Sequence, residues 1–461
     1  MKISKLAIAL SAAFSLCATY ALGQQLRQPQ SVQPSSFSYD YYAQEGEQSP
    51  SDLEIAPAEE FIVSDDCCDA GCEDDECPPW KLFGETCRGT TAYGWIDLGF
   101  TYNAREPASN YNGVITFNDR DDELQMNQLY LVVEKVAESD YCCWDWGYRV
   151  DFLYGTDARF TQAVGLELNQ DGSQGLNAGH RFYHLAFPQL YLDLTYGDLK
   201  MTLGHFYTII GYEGVMATGP ANFFYSHPYC HQYGEPFTHT GLLFTWDYSD
   251  RVDFIAGVHN GWDVWSRNNV NGDGADHGGF LGGVILTSYD ERTSLALTGT
   301  IGNEDQGASV FTQRAMGSVV FSHTFPCERW QYVFQSDAGH QGLASGINNG
   351  TEDAEWYGVN QYLFYTINDC WKAGLRFEWF RDDDGARVVG VGDGNPATGP
   401  FVGDFYEITM GLNWTPRANW NIRPELRWDW FDPDADTVGA PFNDNNSNSQ
   451  FTAAVDVIFT Y

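Results

Sequence analysis

From about Thr90 to the end of the chain, apolar residues alternate one for one with polar or small residues, segment after segment. Successive side chains of a β-strand point to opposite faces, so this period predicts strands with one apolar and one polar face. In one segment the apolar parity holds Trp371, Leu375 and Phe377 and the other parity holds Lys372 and Glu378. About sixteen such segments occur, and the sequence therefore predicts an all-β fold.

The connections between these segments alternate in length. Short ones lie near 137–144, 196–198, 249–251, 289–292, 325–328, 367–370 and 416–419, and long ones near 104–122, 156–186, 208–237, 262–276, 303–313, 340–354, 382–402 and 432–449. Short periplasmic turns that alternate with long external loops are typical of outer-membrane barrels. The pattern predicts a closed antiparallel transmembrane β-barrel of about 16 strands (14–18), with both chain ends on the periplasmic side.

Composition is consistent with this prediction. Beyond the N-terminal segment no run of 18 apolar residues occurs, which excludes membrane-spanning helices and leaves a closed barrel as the way to cross a bilayer. The 63 acidic residues against 24 basic ones exclude a nucleic-acid partner, because phosphate binding needs clustered Lys and Arg. The alternative that stays open is a secreted β-sandwich binding protein, which would be soluble without detergent.

The N-terminal part divides into two segments before the barrel domain of residues 89–461. Residues 1–23 are predicted to be a signal peptide, with Lys2 and Lys5 before an apolar core and small residues at the cleavage site. Residues 24–88 are predicted to be a periplasmic leader that is disordered at first and then acidic and rich in cysteine. The leader cysteines favour disulfides over a metal site, because their spacing matches no zinc pattern. Cysteines also fall in the short turns, at Cys142, Cys143, Cys327 and Cys370, so disulfides between the leader and the barrel floor are a further hypothesis.

The last strand ends the chain on an aromatic residue. Phe451, Phe459 and Tyr461 share its apolar parity, and such an ending resembles the assembly signal of bacterial outer-membrane barrels. The expected partners of the chain are accordingly outer-membrane lipid and the barrel-assembly machinery.

Three stretches carry a family resemblance: NQLY at 127–130, LGHFYTIIGYE at 203–213, and NFFYSH at 222–227 followed by GEPFTHTG at 234–241. They resemble the OmpL-like β-barrel porin-2 family, over about residues 90–461, and the leader is similar to those of planctomycete members. The resemblance implies a porin in the cell outer membrane of a Gram-negative-type bacterium. It implies a passive diffusion channel for small hydrophilic solutes or ions, and not an enzyme.

The long link at 208–237 is the predicted pore constriction. In sixteen-stranded general porins the third loop folds into the lumen, and a barrel of this width would otherwise hold an open channel. The predicted constriction residues are Tyr212, Glu213, Asn222, Tyr225, His227 and Glu235. The alternative is that this loop packs on the rim and has a structural role only.

Charged residues of both signs fall on the polar parity that would face the lumen. The predicted lumenal charges are Arg149, Asp151, Asp193, Lys372, Arg376, Glu378, Glu407, Arg423, Glu425, Arg427 and Asp429. Rings of such charges set ion selectivity, and the excess of acids predicts a mild preference for cations. The alternative is that they form cross-strand pairs that stiffen the barrel.

Other chemistry is weighed against simpler explanations. His227, His231 and His239 lie in one loop with Cys230, but their spacing fits no metal template, so no metal site is predicted. An outer-membrane barrel hydrolase built on Ser226 and His227 is a second alternative, although adjacent residues of an extended chain point apart. Acidic external loops are candidates for Ca²⁺, although none has the EF-hand order. A homo-oligomer is left open.

Overall fold

The structure is a computed structural model, and it describes residues 80–84, 89–138, 143–169, 172–176, 181–266, 278–305, 311–343, 352–390, 394–435, 437 and 439–461. The predicted signal peptide and nearly all of the predicted leader lie outside the described residues. The described part contains 17 strands. They are β1 (Thr90–Asn103), β2 (Glu123–Lys135), β3 (Asp145–Gly155), β4 (His184–Ala186), β5 (Leu190–Tyr196), β6 (Leu199–Tyr207), β7 (Thr238–Ser249), β8 (Val252–His259), β9 (Gly278–Thr287), β10 (Thr293–Asp305), β11 (Phe311–Thr324), β12 (Trp330–Gln341), β13 (Ala354–Asn368), β14 (Trp371–Asp382), β15 (Gly403–Arg417), β16 (Trp420–Pro433) and β17 (Ser449–Thr460).

Sixteen of these strands form one closed antiparallel barrel, and β4 is a short extra strand beside β3. The barrel closes where β1 pairs with β17, for example at Phe100 opposite Val455. The predicted barrel and its strand number are confirmed. One predicted connection differs. Strand β10 ends at Asp305 and β11 begins at Phe311, so the link between them is shorter than the predicted link at 303–313.

The two faces of the strands are divided as the alternation predicted, with the apolar face outward. Leu98, Leu192 and Leu203 are 40–53% exposed on the outside, whereas Asp97 and Asp151 are buried on the inside. A soluble sandwich would bury its apolar faces between two sheets. The alternative of a secreted β-sandwich is therefore wrong.

Strand β2 is where the alternation of the sequence is least regular, and a β-bulge is the cause. The pairing of β1 with β2 shifts between Asp97 and Leu98, which oppose Gln128 and Met126 and leave Asn127 as the additional residue. A bulge places two residues against one on the partner strand. Asn127 and Gln128 are both buried as a result, so two adjacent amides lie inside the barrel.

Helical structure is brief in the described residues. A short helix α1 (Ala158–Thr161) follows β3, and one π-helical turn (Cys230–Gly234) precedes β7. Within the part of the chain that the structure describes, no helix is long and apolar enough to cross a membrane.

Candidate functional site: the lumen and its inserted loop

The link between β6 and β7, residues 208–237 and named loop 3 here, crosses the interior of the barrel. Its backbone reaches strands far away in sequence: Tyr225 N donates to Glu425 Oε2 at 3.0 Å and Cys230 N donates to Glu378 Oε1 at 2.7 Å. Its side chains do the same, since the Tyr229 hydroxyl donates to Asp429 Oδ1 at 2.9 Å. Loop 3 is therefore folded into the lumen, in contact with β14 and β16.

Apolar side chains line much of the lumen wall on strands β7–β12, beside polar ones such as Gln335 and Asp337. Strands β7–β12 turn inward a set of buried residues that belong to one hydrophobic cluster: Leu243, Ile255, Leu281, Ile285, Met316, Val320 and Val333. The same cluster contains the loop 3 residues Ile210, Phe223, Phe224, Tyr229 and Tyr233. Burial of aromatic and aliphatic area stabilises such contacts by about 25 cal/mol per Å². The ring contacts of loop 3 are with the neighbouring strands β13–β15, where Phe223 packs against Phe364 and Tyr229 packs against Phe405.

The opposite half, on strands β14–β17 and β1–β3, carries the charges, and these are arranged in rungs. Register places Glu378, Glu407 and Asp429 side by side on β14, β15 and β16. On the next inward-facing rung, the same three strands carry Arg376, Thr409 and Arg427. Like charges on adjacent strands repel, so an acidic rung needs donors from elsewhere. The arginine rung and the N–H groups of loop 3 supply them.

Three buried arginines each join a wall carboxylate to loop 3. Arg376 Nε donates to Glu407 Oε1 at 2.5 Å, and its Nη1 donates to the Ser226 carbonyl at 2.7 Å. Arg427 pairs with Asp429 on its own strand, and its Nη1 donates to the His227 carbonyl at 2.6 Å. A hydrogen bond that involves a charged group is roughly twice as strong as a neutral one.

The third arginine, Arg423, holds the first half of loop 3. Its Nε donates to Asp456 Oδ1 at 3.0 Å, while its Nη1 donates to the carbonyls of Asn222 at 2.6 Å and Ala217 at 3.2 Å. The charges of the wall therefore hydrogen-bond the loop backbone, a role that the alternating sequence does not reveal. The signal that sequence reasoning missed is that arginines recur on neighbouring inward-facing positions opposite a long loop with few charges.

The six predicted constriction residues all lie in loop 3, inside the barrel, but most serve as anchors. Glu213 accepts from Tyr362 Oη at 2.9 Å and from Arg376 at 3.1 Å, and contacts His227 Nδ1 at 2.7 Å. Asn222 receives N–H from Gly214 and donates to the Met216 carbonyl, which fixes a turn within the loop.

The remaining three contact different strands. Tyr225 Oη donates to Asn127 at 3.1 Å, Glu235 accepts from Gln335 Nε2 at 2.5 Å, and the Tyr212 ring lies 4.9 Å from that of Tyr362. Their assignment to a pore constriction stays a prediction.

Burial and neighbouring charges shift the titration of loop 3. Burial acts to raise the pKa of Glu213, but Arg376 and His227 outweigh it and bring this pKa down to about 2. Burial lowers the pKa of His227 and of His231 to about 4, so both rings are neutral at pH 7. Burial raises the pKa of Glu235 to about 8. Loop 3 thus contains one ionised carboxylate that is paired with an arginine and two uncharged histidines.

The other predicted lumenal charges also lie on inward-facing positions. Arg149 pairs with Asp151 at 2.8 Å and with Glu134 at 3.3 Å, and Asp193 accepts from Thr202 at 2.5 Å. Lys372 is exposed near the turn end of β14. Their effect on ion selectivity stays a prediction.

The histidines and Ser226 do not form a catalytic or metal-binding group. His227 and His231 lie together with ring centroids 4.6 Å apart, whereas His239 is at a similar distance from His259 instead. Ser226 Oγ accepts from Arg376 Nη2 at 3.1 Å, and the His227 ring is directed to Glu213. In the described part of the chain no three His, Cys, Asp or Glu side chains gather closely enough to hold a metal ion.

The acidic external residues that were candidates for Ca²⁺ contact basic and amide groups. Arg381 contacts Asp383 at 2.6 Å, Asp404 at 2.9 Å and Asp434 at 2.5 Å, and Arg159 donates to Asp119 at 2.8 Å. These contacts join neighbouring loops at the external rim.

The residues of the predicted assembly signal lie at the barrel seam and on its outer face. Tyr461 exchanges two backbone hydrogen bonds with Gly94, at 2.8 and 2.9 Å, and its hydroxyl donates to the Tyr130 carbonyl at 2.9 Å. Phe459 packs against Trp420 and Phe451 is 42% exposed. Their role in assembly stays a prediction.

A closed antiparallel barrel with an apolar outside, a charged wall inside and a loop folded across its lumen defines an outer-membrane channel of the porin class. The family comparison agrees: the model of the β-barrel porin-2, OmpL-like, family matches residues 89–461. The chain belongs to this family, and it is a porin of the outer membrane.

Solved structures share the fold at low sequence identity. The outer membrane channel DcaP of Acinetobacter baumannii aligns with a TM-score of 0.52 and 12% identity, over 82% of this chain and 99% of that chain. An anion-selective porin from Comamonas acidovorans aligns with a TM-score of 0.53 and 11% identity, over 81% of this chain and 99% of that chain. None of the curated protein sequences matches the chain.

Proposed function

We propose that this porin is a passive diffusion channel for small hydrophilic solutes and ions, and that loop 3 sets its size limit. The observation that carries the proposal is the attachment of loop 3 to the lumen wall, by aromatic packing on β13–β15 and by hydrogen bonds from Arg376, Arg423 and Arg427. No bond is made or broken in the solute. The channel selects solutes by size exclusion and by the fixed charge of its lumen.

The experiment is single-channel conductance in planar bilayers. Deletion of residues 214–233 is expected to raise the conductance, because the deleted chain occupies lumen volume. An unchanged conductance in the loop 3 deletion, with a correctly folded barrel, contradicts the proposal.

We also propose a mild preference for cations. The four buried lumenal arginines, Arg149, Arg376, Arg423 and Arg427, are each ion-paired. In support, the acidic residues of the chain outnumber the basic ones by 63 to 24. Fixed negative charge in a narrow lumen favours cations. A reversal potential in a KCl gradient tests this, and the sign expected for an anion-selective pore would refute it.

For assembly and anchoring we propose disulfides between the leader cysteines and the turn cysteines. In support, Trp80 N donates to Asn419 Oδ1 at 2.7 Å, and the Trp80 ring packs on Phe459, so the end of the leader lies at the turn side of the barrel. Cys370 lies in a neighbouring turn, where its carbonyl accepts from Thr415 N at 2.9 Å. Peptide mapping without reduction is expected to find a leader-to-turn bridge, and finding none would end this hypothesis.

A further inference from the structure

A small polar cavity lies between loop 3 and the wall formed by β1 and β2. Its volume is about 10 Å³, which is the space that one water-sized sphere needs. The residues that line it come from the wall, from the link after β3 and from loop 3: Asp97, Gln128, Asp157, Ala217, Asn222, Phe224, Tyr225, His227 and Arg423.

Two buried carboxylates face this cavity. Asp97 is 2% exposed and Asp157 is 4% exposed. Asp97 Oδ2 accepts from Asn127 Nδ2 at 3.1 Å, but Asp97 Oδ1 has no hydrogen-bond partner among the described residues. Asp157 Oδ2 accepts from Gln128 Nε2 at 2.8 Å. Both donors are neutral amides, which satisfy carboxylate oxygens but add no positive charge.

The cationic group on the cavity wall is already used. Arg423 donates from Nε to Asp456, and its Nη1 donates to two carbonyls of loop 3. His227 is uncharged at pH 7, because burial lowers its pKa to about 4. Arg159, the nearest basic residue of the link after β3, donates to Asp119. An uncompensated buried charge is costly, so two such carboxylates need a cation or protons.

We propose that the cavity binds one dehydrated alkali cation, preferably K⁺, between Asp97 Oδ1 and the Asp157 carboxylate. K⁺ has about the size of a water molecule, and hard cations of this kind prefer oxygen ligands. The Tyr225 hydroxyl is a third oxygen on the wall. A divalent ion is disfavoured because the described residues gather no group of three charged ligands. The bound ion ties loop 3 to β1 whether or not the open pore prefers cations.

The direct test is crystallography of the whole protein with Tl⁺ in place of K⁺. Burial raises the pKa of Asp157 to about 7, so the crystals are kept at about pH 8.5, above this pKa. An anomalous peak in the cavity is expected in the wild type and is expected to disappear in Asp97→Asn. Absence of the peak in the wild type means that water or shared protons fill the cavity, and this overturns the proposal.

A solution test uses thermal unfolding in mild detergent at constant ionic strength. Replacing N-methylglucamine by K⁺ is expected to raise the unfolding midpoint of the wild type, and to leave the midpoints of Asp97→Asn and Asp157→Asn unchanged. Asp193→Asn, which removes the same charge from a lumenal position outside the cavity, is the control and is expected to keep the K⁺ response. A wild type without a K⁺-dependent shift overturns the proposal even if neither variant folds.

Discussion

Arg376 Nη1 and Glu213 Oε1 lie 3.1 Å apart in a fully buried ion pair that joins strand β14 to loop 3. The same guanidinium also binds Glu407, so one side chain from the wall connects the acidic rung with the inserted loop. Tyr362 adds a hydroxyl to Glu213 from the neighbouring strand. The position of the loop in the lumen therefore depends on a polar network that water does not reach.

Arg376→Met is expected to release the centre of loop 3 from the wall. Removing one partner of a buried pair leaves the other charge unpaired, which costs about 3–5 kcal/mol. We expect an earlier unfolding transition in detergent and a larger, noisier single-channel conductance. Unchanged conductance and unchanged heat resistance would contradict the role assigned to Arg376.

The matched control is Arg381→Met at the external rim. Arg381 contacts three acids, but these are partly exposed and the group is outside the lumen. Exposed ion pairs contribute about 0–1 kcal/mol, so this variant is expected to keep both the conductance and most of the stability.

Acidification is expected to undock loop 3. His227 and His231 have pKa values near 4 in the folded loop, below the ordinary value of about 6.5, because burial opposes their charged form. Between about pH 6.5 and 4 the unfolded chain binds protons at these histidines and the folded loop does not. The free energy of unfolding is therefore highest above about pH 6.5 and decreases as the pH falls from there to about 4. The readout is protease sensitivity of the loop, or conductance, measured over this range of pH.

The control for the acid transition is the double variant His227→Gln and His231→Gln. Glutamine cannot gain a proton here, and its amide N–H can still donate to Glu213, so the transition between pH 6.5 and 4 is expected to vanish. The double variant is still expected to lose stability at lower pH, where Glu213 gains a proton, because the folded pKa of that carboxyl is about 2. A double variant that undocks at the same pH as the wild type would rule out the histidines as the cause.

The strands of this barrel could be predicted from the sequence because lipid covers one face of each strand and the lumen lies on the other. Apolar and polar residues therefore alternate along the strand. Each of the sixteen barrel strands between Thr90 and Thr460 has one face toward lipid, and the apolar parity identifies it. The bulge at Asn127 disturbs that parity locally, which is why β2 alternated least cleanly.

The division of the lumen into an apolar and a charged half could not be predicted in the same way. Leu243 and Ile255 lie on the inward parity, where the prediction assumed polar residues, and they are buried in the same hydrophobic cluster as the aromatic residues of loop 3. Apolar residues on both faces of β7 and β8 were the available signal. The contacts of Arg423 and Arg427 with loop carbonyls depend on the path of a thirty-residue loop, which no strand period contains.

Two wall glycines provide space for the aromatic residues of loop 3, and filling one of them is expected to displace the loop. A Cβ atom at Gly374 would lie 2.4 Å from the Phe223 ring, and Gly411 is beside Phe224. Gly374→Val is therefore expected to cost about 1–3 kcal/mol through overpacking and to alter the conductance. Gly317→Ala is the control, because its nearest neighbour atom would be 3.9 Å away. Equal behaviour of the two variants would contradict this packing.

Removal of Tyr461 is expected to impair assembly more than conduction. Its backbone pairs with Gly94 across the seam of β1 and β17, and its hydroxyl binds the Tyr130 carbonyl, so it helps to close the barrel at the turn end. The hydrogen bonds that hold loop 3 come instead from β2, β12, β13, β14 and β16. We expect the amount of folded protein in the outer membrane to fall several-fold, with the single-channel conductance of the folded fraction unchanged. Phe377→Leu keeps an apolar residue on the lipid face of β14, away from the predicted assembly signal, and is expected to assemble normally. Normal levels without Tyr461 would refute its part in assembly.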